Sequence, residues 1–143
     1  MKSHVFHESE TVALASAFAV NLKPGDVVAL SGELGAGKSV FCRAVMRALG
    51  VTDTALPSPT FSIIQEYEGK SCRVAHMDWY RLDVADEIDM LGVREYFQPP
   101  WICLIEWPER PMALLGKAVI HVIMTSPSAD PDSRLIDINK EQL

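Results

Sequence analysis

The sequence predicts a single α/β domain built on a mixed, mostly parallel sheet flanked by helices, with a β-hairpin inserted into it. Three observations carry that expectation. The apolar run Val27-Val28-Ala29-Leu30 is followed by a glycine-rich loop and then by a segment whose apolar residues recur at helical spacing. Trp101-Ile102-Cys103-Leu104-Ile105 is a continuous apolar run, the pattern of a strand buried on both faces. Between these lie two short apolar segments joined by Glu68-Gly69-Lys70-Ser71, a connection of hairpin length that contains glycine.

Each element follows in order. Ser9 is placed to open a helix over Glu10–Leu22, with acidic Glu10 in its first turn and Pro24-Gly25 just past its end. The strand Val27–Leu30 comes next, and a helix over Val40–Leu49 stops at Gly50. Residues 51–60 read as a loop, because Pro57 and Pro59 hold the chain extended and exclude helix. Phe61–Tyr67 and Cys72–Met77 form the hairpin, and Leu82–Phe97 reads as one or two short helices broken around Gly92. Val119–Met124 and Leu135–Ile138 read as two further strands, antiparallel at one side of the sheet. No repeat or linker divides the chain, so residues 1–143 form one domain, although the tail beyond about residue 127 is poorly assigned.

The loop itself carries the chemistry. Gly32-Glu33-Leu34-Gly35-Ala36-Gly37-Lys38-Ser39 reads G-x-x-x-x-G-K-S, a complete phosphate-binding loop between a strand and a helix. Its glycines let backbone N–H groups wrap an anion, and the helix adds the positive end of its dipole. The cofactor-binding candidates are therefore Glu33, Leu34, Gly35, Ala36, Gly37, Lys38, Ser39 and Val40. Lys38 would reach the β- and γ-phosphates, and the Ser39 hydroxyl would hold Mg²⁺.

Composition narrows the class. A chain of 143 residues, 48% hydrophobic and 22% charged, is that of an ordinary globular protein. No apolar stretch approaches a membrane span, and Met1-Lys2-Ser3-His4-Val5-Phe6-His7 is no signal peptide, so a cytoplasmic location is expected. Cys42, Cys72 and Cys103 each sit in an apolar segment without metal-ligand spacing and are expected as reduced core thiols. A net charge of −6 argues against strong independent binding to nucleic acid.

Ligands of open α/β sheets sit at the carboxyl ends of strands, and three polar groups fall there. Thr60, in the loop after the first helix of the nucleotide unit, suits a switch residue sensing γ-phosphate and Mg²⁺, or a turn threonine. His76 and Asp78, two apart in a strand, share a face. Asp78 is placed to hold Mg²⁺ or its water shell and reads equally as a helix N-cap; His76 reads as a satisfied, partly buried histidine. Glu106 ends the buried strand in the Walker-B manner, suited to Mg²⁺ coordination or to positioning a water. Trp107 beside it either packs in the core or stacks on a base.

Two patterns are decoys. Asp89-Met90-Leu91-Gly92 matches the GTPase D-x-x-G but lies in a helical stretch, and Asn139-Lys140-Glu141-Gln142 lacks the aspartate of the guanine-reading motif.

Ser58-Pro59-Thr60-Phe61, His76-Met77-Asp78-Trp79-Tyr80-Arg81-Leu82 and Ile105-Glu106-Trp107-Pro108-Glu109, following the phosphate loop, resemble the bacterial TsaE family. The likeness covers about residues 5–125, with Ser39 where threonine is usual, a change that keeps the hydroxyl. The resemblance implies a protein that binds ATP and Mg²⁺, hydrolyses ATP slowly and supports the TsaB–TsaD heterodimer. That pair transfers a threonylcarbamoyl group to adenosine 37 of tRNA, so tRNA would be reached only through the partner complex. On both readings, Lys38, Asp78 and Glu106 are the catalytic candidates, Ser39, Thr60 and Glu106 the metal ligands, and Trp107 a further nucleotide contact. Asp78 and Glu106 both remain open as the group that orients the attacking water. Tyr80 and Arg81 are expected in a structural or interface role. Two alternatives stand beside this reading: a nucleotide-gated adaptor without essential hydrolysis, and a small P-loop kinase, for which no acceptor site is evident.

Overall fold

In the computed structural model, which describes residues 1–32, 37–53, 56, 64–79, 92–106, 119–126 and 133–141, seven strands form one sheet. They are β1 (Lys2–Val5), β2 (Val27–Gly32), β3 (Ile64–Glu68), β4 (Arg73–Asp78), β5 (Trp101–Glu106), β6 (Val119–Thr125) and β7 (Arg134–Glu141). Their order across the sheet is β1-β7-β6-β2-β5-β4-β3. The four central strands β6, β2, β5 and β4 are parallel, whereas β7 and β3 flank them antiparallel and β1 is antiparallel to β7. Five strands thus share one direction, and the sheet is mixed but mostly parallel as expected. Among the described residues, two helices accompany it, α1 (Glu8–Ala19) and α2 (Lys38–Ala48), with a 3₁₀ turn over Val93–Phe97. Neither helix is long and apolar enough to cross a membrane.

The two faces of the sheet bury different cores. Under α1 and α2 lie Val28, Leu30, Val74, Ile102, Leu104, Val122, Met124 and Ile136, packed against Phe41, Val45 and Met46. On the opposite face Val27, Ala29, Ala75, Met77, Cys103 and Ile105 pack with Trp79, Tyr96, Phe97 and Trp101. Strand alternation separates the two sets, and β5 is buried at all six positions because it feeds both. On α1, the small residues Ala15 and Ala19 are fully buried, and Phe18 meets Phe41 of α2 with ring centroids 5.7 Å apart.

Several boundaries differ from expectation. α1 begins at Glu8 with His7 as its N-cap, not at Ser9, and ends at Ala19. The Glu10 carboxylate reaches back to accept the Phe6 N–H at 3.0 Å, so the acid, rather than a serine, organises this end. β1 was not anticipated. It pairs Lys2–Val5 with Asp137–Arg134 and closes the sheet beyond the antiparallel pair β6–β7. The poorly assigned tail therefore supplies a full interior strand. Cys42 and Cys103 are buried free thiols as expected, whereas Cys72 is only half-buried at the start of β4. The 51–60 loop is described only at 51–53 and Leu56, Phe61–Ile63 lies outside the described residues, and so does the helical stretch before Gly92.

Candidate phosphate-loop site

All four parallel strands end on one edge of the sheet, and the candidates among the described residues collect there. Leu30 of β2 is level with Glu106 of β5, which is level with Asp78 of β4, while Gly32 is level with Met124 of β6. The site thus begins as a row of strand ends beside the loop that joins β2 to α2.

Two glycines of that loop are required by its backbone. Gly32 has φ +142°, and a Cβ there would lie 2.2 Å from the Met124 carbonyl oxygen, so β6 leaves room only for hydrogen. Gly37, at φ +96°, turns the chain through a left-handed conformation directly into α2. Lys38 is the first residue of that helix, and Ser39 and Val40 follow it in the first turn, where backbone N–H groups lack helical acceptors. Lys38 is 5% exposed, and its ammonium donates to the Gly32 carbonyl at 2.5 Å, linking the start of α2 to the end of β2.

At the next strand ends, alternation turns His76, Asp78 and Glu106 toward the face that carries α2. His76 Nε2 lies 2.6 Å from Glu106 Oε2, and both side chains are buried. The strand ends are also tied through the backbone, since Trp79 N–H donates to the Glu106 carbonyl at 3.0 Å. His76 is therefore more than the satisfied, partly buried histidine that the sequence suggested. It is 1% exposed, it grips the Glu106 carboxylate, and its Nδ1 is buried with no partner among the described residues. Asp78, partly exposed at the end of β4, stands beside Glu106 in register.

One neighbour was not foreseen. Cys42 is one helical turn beyond Lys38, on the same side of α2, and sits against the His76–Glu106 pair. Burial above all, and then the nearby Glu106 charge, pushes its thiol well above the ordinary 9.0, while Arg43 and Lys38 pull the other way. Lys38, Cys42, His76 and Glu106 thus share one buried electrostatic neighbourhood. The sequence could not bring Cys42 to Glu106, because that contact depends on how α2 lies across β4 and β5.

Of the other candidates, Glu33, Leu34, Gly35, Ala36, Thr60, Tyr80, Arg81 and Trp107 lie outside the described residues. Among those described, Gly37, Lys38, Ser39 and Val40 are brought to one edge with Asp78 and Glu106.

A glycine loop that opens a helix on a buried lysine, with an acid closing the neighbouring parallel strand, defines a P-loop NTPase-like α/β fold. The solved structure of Bacillus subtilis YdiB superposes on the whole chain, and on 86% of its own, with a TM-score of 0.82 at 31% identity. The family model for "Threonylcarbamoyl adenosine biosynthesis protein TsaE" matches residues 5–136, and the chain belongs to the TsaE family. Relatives named tRNA threonylcarbamoyladenosine biosynthesis protein TsaE include one from Rickettsia typhi, 38% identical over 93% of this chain and 85% of its own. Another, from Bacillus subtilis, is 43% identical over 75% of this chain and 66% of its own. The family match extends beyond the blocks quoted from the sequence, through the whole of β6 and into the first residues of β7.

Proposed function

We propose that this protein binds ATP with Mg²⁺, hydrolyses it slowly, and thereby supports a TsaB–TsaD heterodimer in the threonylcarbamoyl modification of adenosine 37 in tRNA. The observation that carries the reading is the convergence of buried Lys38 with the Glu106 carboxylate held by His76, at the edge where the phosphate loop meets the parallel strands. The family's name supports the pathway.

In this reading Lys38 leaves the Gly32 carbonyl and turns its charge to the β- and γ-phosphates, with the loop N–H groups and the α2 dipole behind it. The donor set along this edge suits a hard cation: the Ser39 hydroxyl at the start of α2 and the strand-end carboxylates of Glu106 and Asp78 are all oxygen donors. Ser39, with Glu106 or Thr60, would hold Mg²⁺ directly or through water. Bound there, the ion would supply positive charge to offset that of the phosphates.

Either Asp78 or Glu106 orients the attacking water. Glu106 is favoured by its restraint: one oxygen engages His76, which fixes the carboxylate plane and leaves the other oxygen to the water. His76 is then a positioning residue, acting through Glu106. With a net charge of −6, the chain itself is a poor docking site for tRNA, so the partner complex carries that contact.

The test is ATP hydrolysis by the purified protein, alone and with its cognate TsaB–TsaD pair, with Lys38→Ala as control. Weak hydrolysis that rises with the pair and vanishes in the variant is expected. Hydrolysis indifferent to the pair would overturn the partnership while leaving the nucleotide site in place.

A further inference from the structure

Beyond the nucleotide site, the buried cluster beneath it has a donor set of a different kind. One ligand atom each from Cys42, His76 and Glu106 lies within 4.8 Å of the others, and all three residues are buried. We propose that Cys42 Sγ, a ring nitrogen of His76 and the Glu106 carboxylate form a binding site for a thiophilic divalent ion, with Zn²⁺ the best match.

Three features support this. Sulfur, imidazole and carboxylate are the donors that Zn²⁺ takes in tetrahedral sites, and a thiolate selects against Mg²⁺. With metal–ligand bonds of about 2.0–2.3 Å, the donors of such a shell stand roughly 3.3–3.8 Å apart. The 2.6 Å edge between His76 and Glu106 would open by roughly an ångström, and an edge as long as the 4.8 Å limit would close by about as much. The three side chains come from α2, β4 and β5, so the backbone that builds the phosphate-loop edge also holds the donors.

Binding requires the Cys42 thiolate, and the proton displaced from sulfur passes to solvent. Glu106, 7% exposed at its side chain, is the donor nearest the strand-end edge and is shared with the nucleotide site. An ion held by Cys42 and His76 would therefore take Glu106 away from water and from Mg²⁺, so that Zn²⁺ inhibits hydrolysis. That consequence, unlike the site itself, rests on the function proposed above.

Co²⁺ serves as the spectroscopic probe, titrated into the full chain without nucleotide. A thiolate-to-cobalt charge-transfer absorption saturating at one ion per chain is expected. It should vanish in Cys42→Ala and in His76→Gln and persist in Cys72→Ser, with circular dichroism confirming that each variant is folded. Absence of the band in the wild-type chain, or its survival in folded Cys42→Ala, would overturn the proposal. In the second arm, equimolar Zn²⁺ should suppress ATP hydrolysis at least tenfold in the wild-type chain and leave Cys42→Ala within twofold of its zinc-free rate. Equal suppression of both would overturn the proposed inhibition. A cobalt band in a chain that hydrolyses no ATP would uphold the site and count against the ATPase reading, so the two failures are distinct.

Discussion

The two faces of β4 and β5 come from the same few residues but have different chemistry. Ile105, Cys103, Met77 and Ala75 look into an apolar core closed by Trp79, Trp101, Tyr96 and Phe97. The alternate positions Glu106, Asp78 and His76 look toward α2, and there the apolar packing of Leu104 and Val74 gives way to acid and imidazole at the strand ends. One face holds the sheet in place and the other uses the place so held. Stability and chemistry can therefore be perturbed separately by substitutions one residue apart.

The largest separation should come from the loop. Lys38→Ala removes the charge expected on the phosphates and should weaken ATP binding by roughly 10²-fold or more, or about 2.7 kcal/mol. Its thermal midpoint should move little. Calorimetric titration and a melting curve on the same sample would check both halves, and near-wild-type affinity would remove this lysine from the site. On the scaffold face the pattern should invert. Ile105→Ala empties a fully buried position and should cost about 2–5 kcal/mol in denaturant unfolding, while the residual folded protein keeps its turnover number.

A smaller effect belongs to His76. His76→Ala should lower kcat roughly tenfold with KM for ATP nearly unchanged, a loss of about 1.4 kcal/mol in the transition state. His76→Gln, which can still donate to Glu106, should recover most of it. If glutamine rescued nothing while both variants stayed folded, His76 would not position Glu106. Smallest is the effect of alkali. The Cys42 thiol is raised above 9.0 in the folded protein, so above that pH the unfolded chain loses its proton first. The folded state then binds more protons, and stability falls as pH rises past about 9 with no contribution from this group below it. Cys42→Ala should flatten that alkaline limb in melting curves.

How much of this was legible in the sequence depended on whether the signal was local. β2, α2 and β5 were legible because contiguous residues encode them: apolar runs of strand length, and apolar residues at helical spacing after the glycines. β1 was not, because Lys2-Ser3-His4-Val5 has no apolar run and becomes a strand only through pairing with β7. The His76–Glu106 pair spans thirty positions, and nothing local predicts it. It follows from β4 and β5 being parallel neighbours with Asp78 level with Glu106, a register set by the whole sheet. Cys42 joined them for the same reason. As a core thiol it was foreseen, but its acidic neighbour depends on where α2 crosses.

The central claim is that Glu106, fixed by His76, turns a phosphate-binding loop into a hydrolytic site. The most direct measurement is single-turnover ATP hydrolysis by Glu106→Gln beside ATP affinity on the same preparation. The account predicts affinity within a few-fold of wild type and hydrolysis lower by roughly 10²-fold or more. Unchanged hydrolysis in a folded Glu106→Gln protein would contradict it and pass the catalytic role to Asp78.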